Sequence, residues 1–288
     1  MGNNSYPIGV IDSGVGGLSM VIALDQLLPS EEIIYVADPL HFPYGEKTKK
    51  ELMNIVSSLI TYLIEDLKVK LIITACGTIS SNCLEDLSSL FQVPIFGIID
   101  PASQEAVKKT KTGRVVVLAT SATVKSGTFR KHIQKIDTKT IVKEEAWPEF
   151  VDAVEKGFHL TDEWRERIYS QFIRFQREHF DTIIMGCTHF ALITSFFQDI
   201  AGPSLKIINP ALATVQEVKE YLKKSSLLNQ SRLGKKRIIV RGSCYNIEKT
   251  IENYPDLKNI SPEAFPEKYK EKFTNNSQMI CTPASTPI

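Results

Sequence analysis

Ile8-Gly9-Val10-Ile11-Asp12-Ser13-Gly14-Val15-Gly16-Gly17-Leu18 holds the key to the chain: a short apolar run, a carboxylate, a glycine-rich turn and the start of a stretch with helical spacing. A run that ends on small and polar residues and passes into a helix is how a βαβ unit begins. The same grammar recurs downstream. Further apolar runs rich in Ile and Val lie at 33–36, 71–73, 93–99 with Pro94 inside, 115–118, 182–185, 205–208 and 237–240. Between them, 18–28, 49–67, 80–91, 164–179, 192–200 and 211–222 carry helix-like apolar spacing. Strands that are apolar along their whole length are buried on both faces, so the pattern predicts an α/β protein with doubly wound, mainly parallel sheets.

At 288 residues the chain is long enough for two lobes or one large α/β unit. Its 34 Lys+Arg stand against 33 Asp+Glu, a formal net charge of +1. That balance leaves no electrostatic footprint for nucleic acid or an anionic membrane, so the expected partner is a small molecule. With 43% hydrophobic and 23% charged residues, the chain can bury a sizeable core and reads as a folded, soluble protein. No apolar run reaches the roughly 18 residues of a membrane span. The five cysteines, at 76, 83, 187, 244 and 281, form no CxxC pair, and no charged-then-apolar leader precedes Ile8. Together these features predict a reduced, cytoplasmic setting. From about Ser261 the composition turns to Pro, Lys, Glu, Asn, Ser and Thr, the mark of a peripheral tail.

In wound sheets ligands bind beyond the carboxyl ends of the strands, so chemistry is expected directly after each apolar run. Those junctions read Asp12-Ser13-Gly14-Val15-Gly16-Gly17, Cys76-Gly77-Thr78, Thr120-Ser121-Ala122-Thr123 and Cys187-Thr188-His189. Leu71-Ile72-Ile73-Thr74-Ala75-Cys76-Gly77-Thr78 and Thr182-Ile183-Ile184-Met185-Gly186-Cys187-Thr188-His189 also match each other, as a weak internal repeat with one cysteine per lobe would. A cysteine at a helix N-terminus meets partial positive charge and unpaired peptide N–H groups, which favour its thiolate. Cys76 and Cys187 are therefore candidates for chemistry, whereas Cys83, Cys244 and Cys281 read as structural. His189, two residues beyond Cys187, can tune it or exchange its proton. His41, His132, His159 and His179 read as structural. No Cys or His spacing suits a metal, and none is expected. The glycine-rich segment fits neither GxGxxG nor a P-loop. It reads as a tight turn in which Ser13 caps the following helix and Asp12 is poised to hold an ammonium group or take up a proton.

Taken together, Ile8 to Leu18, Asp38 with Pro43-Tyr44-Gly45-Glu46-Lys47, Ala75-Cys76-x-Thr78, Thr120-x-x-Thr123-Val124-Lys125-Ser126-Gly127 and Gly186-Cys187-Thr188-His189 resemble the glutamate racemase family, in order and at family-like spacing. Pro148-x-Phe150-Val151-x-x-Val154-Glu155-x-Gly157 resembles the family segment that supplies a glutamate near the second cysteine. The resemblance implies two pseudo-symmetric α/β lobes with the active site in the cleft between them, here 1–98 plus 212–265 and 99–211, followed by a peripheral tail at 266–288. It implies a homodimer and a cofactor-independent racemase of an acidic amino acid, with glutamate first and aspartate as the alternative. A D-glutamate product would supply peptidoglycan. By resemblance Cys76, assisted by Asp12, and Cys187, assisted by His189 and Glu155, would face opposite sides of the substrate α-carbon. Ser13, Pro43, Tyr44, Gly45, Gly77, Thr78, Thr120, Thr123 and Thr188 would bind its charged groups.

Four positions depart from the family pattern. Gly77 stands where asparagine is usual, so an amide contact is lost and Gly77→Asn is expected to improve glutamate affinity or turnover. His41 replaces a frequent arginine, Trp147 a small cysteine and Ala191 a proline. An indole at 147 facing the cleft would favour a shorter substrate. Gly77 and Trp147 also admit a non-catalytic amino-acid-binding relative, and Cys187 with His189 alone would suit a cysteine hydrolase.

Overall fold

The predicted apolar runs form strands in the computed structural model, which describes residues 3–156, 161–230 and 233–269. Gly157, His159, Cys281 and the tail beyond Tyr269 lie outside the described residues. One sheet holds β1 (Ile8–Asp12), β2 (Ile33–Ala37), β3 (Leu71–Thr74) and β4 (Ile95–Gly97). The second holds β5 (Arg114–Ala119), β6 (Ile141–Ala146), β7 (Thr182–Met185) and β8 (Lys206–Ile208). The chain then returns to the first sheet with β9 (Lys236–Val240) and the short β10 (Glu263–Ala264). The spatial orders are β10-β9-β2-β1-β3-β4 and β6-β5-β7-β8, with every neighbouring pair parallel.

The connecting helices are α1 (Leu18–Leu27), α2 (Lys49–Glu65), α3 (Gly77–Asn82), α4 (Leu84–Leu90), α5 (Ile99–Lys109), α6 (Ser121–Ser126) and α7 (Thr128–Ile136). They continue with α8 (Pro148–Glu155), α9 (Asp162–Arg177), α10 (Thr188–Leu192), α11 (Thr194–Ala201), α12 (Pro210–Lys224) and α13 (Tyr245–Ile251). The single helices expected over 80–91 and 192–200 are each two, broken at Cys83 and Ile193. Apolar spacing reports which residues are buried, and it runs through a one-residue break unchanged. The run 93–99 also divides, since the strand ends at Gly97 and α5 starts at Ile99.

Side-chain alternation on the strands sorts the core into layers. Val10, Tyr35, Ile73 and Ile238 of the first sheet share a core with Val115, Val117 and Ile184 of the second, packed around α1, α5 and α12. Ile11, Ile34, Val36 and Ile72 point the other way, onto α2, where Phe265 and Tyr269 also dock. On the second sheet Val116, Leu118, Ile183 and Met185 meet an aromatic layer from α8, α9, α10 and α11. Phe197 sits at its centre, with Phe150 and Phe190 ring centroids 5.7 and 6.2 Å away. Truncating Phe197 to alanine would cost about 3–5 kcal/mol. Parallel strands buried on both faces direct all their carboxyl ends the same way within each sheet, and the junction residues gather there. No helix among the described residues is long and apolar enough to cross a membrane.

Candidate active site

Asp12 closes β1, Cys76 follows β3, Thr120 follows β5 and Cys187 follows β7, so four strand ends from two sheets converge. Between them lies a cleft of about 130 Å3. Ser13, Pro43, Tyr44, Gly45, Cys76, Gly77 and Thr78 line it from the first sheet's loops, and Thr120, Cys187, Thr188 and His189 from the second's. Asp12, Thr123 and Glu155 lie behind this lining as supports. Thr123, for example, sits with its hydroxyl 3.0 Å from that of Thr120. Phe42, Glu46, Ser121, Pro148, Val151 and Asp152 also line the cleft, beyond the binding residues the sequence predicts. Three of these lie on α8 and share a signal with Glu155: Pro148, Val151, Asp152 and Glu155 follow i, i+3, i+4, i+7 spacing and so occupy one helical face.

The two cysteines have different company. Cys187, at the N-cap of α10, places Sγ 3.7 Å from His189 Nδ1. His189 Nε2 is 2.7 Å from Glu155 Oε2, which also accepts the Val15 N–H at 3.1 Å. Burial alone would pull the His189 imidazole down, but its hydrogen bonds to Cys187 and Glu155 more than reverse this and hold it well above its usual value. Cys76, at the N-cap of α3, has no such cation. Burial, then the Asp12 charge, push its thiol up, outweighing the N–H groups of Ile79 and Thr78. The expectation that a helix N-terminus favours a thiolate at both positions therefore fails at Cys76. Desolvation of a thiolate beside a carboxylate is the larger effect. Burial also raises Asp12 from 3.8 to about 6, against the attraction of His189 and the Gly14 hydrogen bond.

Ser13 makes no cap: neither the helical turn at Val15–Gly17 nor α1 has a side-chain cap hydrogen bond. Asp12 takes that place, its Oδ2 accepting Gly14 N at 3.3 Å and Gly17 N at 3.0 Å. The glycines are there for close approach, since none of Gly14, Gly16 and Gly17 has a positive φ. A β-carbon on Gly14 would lie 2.5 Å from Glu155 Oε2, and one on Gly16 would lie 2.5 Å from Thr188 Oγ1. The turn is thus wedged against the second lobe. Thr188 Oγ1 donates back to Asp12 Oδ1 at 3.2 Å, and Thr78 and Thr120 bring their hydroxyls to 3.1 Å across the cleft.

Two of the four departures take on new meanings. Gly77 leaves no room for the expected amide, because a β-carbon there would run into the Gly186 backbone carbonyl oxygen. Trp147 is turned away from the cleft, 9% exposed and packed on Phe150 and Phe197 with centroids at 5.6 and 6.5 Å. It cannot shorten the substrate. His41 Nδ1 pairs with the buried Asp38 at 2.8 Å, and the same carboxylate accepts the Tyr44 hydroxyl at 2.7 Å, bracing the loop that carries Pro43, Tyr44 and Gly45. Ala191 is buried in α10. Among the described residues no group of three or more His, Cys, Asp or Glu is arranged to hold a metal ion.

The geometry has counterparts among known proteins. Residues 8–218 match the family model for Asp/Glu/Hydantoin racemase. The chain is 34% identical over 249 residues to a glutamate racemase of Thermoanaerobacter pseudethanolicus, covering 86% of this chain and 93% of that protein. It is 33% identical over 254 residues to glutamate racemase 1 of Caldanaerobacter subterraneus, covering 88% and 94%. Among solved structures, it is similar to a glutamate racemase from Bacillus anthracis, with a TM-score of 0.85 and 29% identity over 92% of this chain and 98% of that one. A Francisella tularensis glutamate racemase in complex with D-glutamate gives a TM-score of 0.80 and 28% identity over 91% and 98%. With both cysteine junctions inside the matched span, the chain belongs to the Asp/Glu/Hydantoin racemase family.

Proposed function

We propose that this protein interconverts L- and D-glutamate by proton transfer between two thiols without a cofactor. The observation that carries the reading is that Cys76 and Cys187, from different sheets, line one cleft. Inverting a stereocentre through a carbanion needs a base on one face and an acid on the other. The asymmetry of the site supplies both. The His189 proton against Sγ of Cys187 suits a thiolate there, and the raised Cys76 is the thiol. The Cys187 thiolate removes the α-proton, the electron pair passes into the α-carboxylate, and Cys76 returns a proton to the opposite face. Starting from the other enantiomer, the roles reverse. Asp12 assists Cys76; Glu155 holds His189. Ser13, Pro43, Tyr44, Gly45, Gly77, Thr78, Thr120 and Thr188, with Thr123 behind Thr120, hold the substrate's charges, and donors preset towards the α-carboxylate stabilise the carbanion.

Glutamate is preferred to aspartate because the relatives are glutamate racemases and one solved neighbour carries D-glutamate. We place the protein in the cytoplasm, as a homodimer supplying D-glutamate for peptidoglycan. The test is incubation with each enantiomer of glutamate and of aspartate in deuterated water. Deuterium at the α-carbon of inverted glutamate supports the reading. Binding without exchange would favour a non-catalytic relative, and faster turnover of aspartate an aspartate racemase.

A further inference from the structure

We propose that the Tyr35 hydroxyl is a positioning group that sets the peptide plane through which the glycine turn serves both proton-handling arms. This inference rests on the two-thiol reading. Tyr35 lies on β2, fully buried and outside the cleft lining. Its hydroxyl donates to the Gly14 carbonyl. That carbonyl and the Val15 N–H belong to one planar peptide unit and point in opposite directions. Fixing one end therefore aims the other, and the Val15 N–H is the group that reaches Glu155 Oε2 at 3.1 Å. The adjoining Ser13–Gly14 peptide presents Gly14 N to Asp12 Oδ2, and the Gly16–Gly17 peptide further along the same turn presents Gly17 N to it. One hydroxyl under the turn thus bears on Glu155 and His189 behind Cys187, and on Asp12 beside Cys76.

The contact leaves little slack. A β-carbon on Gly17 would lie 2.6 Å from the Tyr35 hydroxyl and 2.5 Å from Asp12 Cβ, so ring, turn and carboxylate are in direct contact. Burial, then the charges of Asp12 and Glu155, hold the phenol well above its usual range, so it stays a donor. Gly14 has no side chain of its own to resist rotation. Without the hydroxyl its buried carbonyl loses a donor, the peptide can turn, and both carboxylates lose N–H contacts.

Tyr35→Phe removes the donor and keeps the ring. The turnover number on glutamate is expected to fall about tenfold with KM little changed. In parallel, the Asp12 carboxyl, followed by 13C NMR, is expected to titrate about one pH unit higher than in the wild type, as a weakened charge-assisted hydrogen bond requires. The groups facing Asp12, namely His189, Glu155, Thr188 and Cys76, are the same in both proteins. A lower melting temperature with turnover and Asp12 titration unchanged would assign Tyr35 a packing role only and overturn the proposal. So would a raised KM at constant turnover. If the phenylalanine protein does not fold, 4-aminophenylalanine at position 35 keeps a ring donor and is expected to retain wild-type turnover and titration; a tenfold loss there is equally fatal. Should the wild type itself fail to racemise glutamate, the functional reading falls, while the Asp12 titration still decides the role of the hydroxyl.

Discussion

Substituting asparagine for Gly77, the residue usual at this position in the racemases it resembles, is expected to impair the enzyme. Gly77 opens α3 immediately after Cys76, and its missing β-carbon would occupy the space of the Gly186 carbonyl oxygen, immediately before Cys187. Neither partner can yield by a rotamer change, since the obstruction is backbone. Gly186 is itself pinned, its N–H donating to the Leu118 carbonyl at 2.7 Å while a β-carbon there would be 2.9 Å from Phe129. The two cysteine-bearing loops must therefore separate by about 1 Å, a misplacement that can cost about 100-fold in rate. That loss corresponds to about 2.7 kcal/mol of transition-state stabilisation.

Polarimetric progress curves from each enantiomer measure it. Because the enantiomers have equal free energy in water, kcat/KM must fall equally from both sides. Gly77→Ala carries the β-carbon without the amide and is expected to lose nearly as much. Wild-type or better kcat/KM in Gly77→Asn, with an unchanged melting temperature, would mean that the loops part freely and would refute the steric argument.

Cys76→Ala and Cys187→Ala are each expected to abolish racemisation while leaving circular dichroism and melting temperature near wild type; full activity in either eliminates the paired-thiol mechanism. Asp12, raised from 3.8 to about 6, binds its proton more tightly in the folded state, so its stabilisation is complete below 3.8 and is lost as pH rises through about 6. Relative to Asp12→Asn, the wild type is expected to lose about 3 kcal/mol of unfolding free energy between about pH 3.5 and 7, read by urea denaturation; a flat difference would contradict the buried carboxylate. Trp147→Ala is expected to destabilise the fold by about 3–5 kcal/mol without changing KM for glutamate. A changed KM at constant fold would place the indole in the cleft after all.

What can be read from this sequence follows burial. The strands β1, β2, β3, β5 and β7 are apolar on both faces because helices cover both, and that leaves an uninterrupted signal. β6 escapes notice because it is an edge strand paired only with β5, and its sequence, Ile141-Val142-Lys143-Glu144-Glu145-Ala146, meets solvent where a central strand would meet a second layer. The cysteine junctions are legible for a related reason: a strand that stops being apolar at the carboxyl end of a parallel sheet has reached the one rim where polar groups are useful. Contacts between junctions are a different matter. That Gly14 exists to admit Glu155, that Gly77 stands against Gly186, and that Thr188 donates to Asp12 are facts about the docking of one lobe on the other. Each pairs residues more than a hundred positions apart, and no periodicity encodes them. The protonation asymmetry is only partly of this second kind. Both cysteines follow a strand and cap a short helix, so position in the fold makes them equivalents; the local sequence already gives Cys187 its imidazole two residues on, and packing adds Glu155 from α8 behind that imidazole and Asp12 from the neighbouring strand β1 beside the Cys76 thiol. A racemase of this design therefore draws its acid and its base from one repeated local motif and distinguishes them by one histidine in the sequence and by the carboxylates that packing sets against the imidazole and the second thiol.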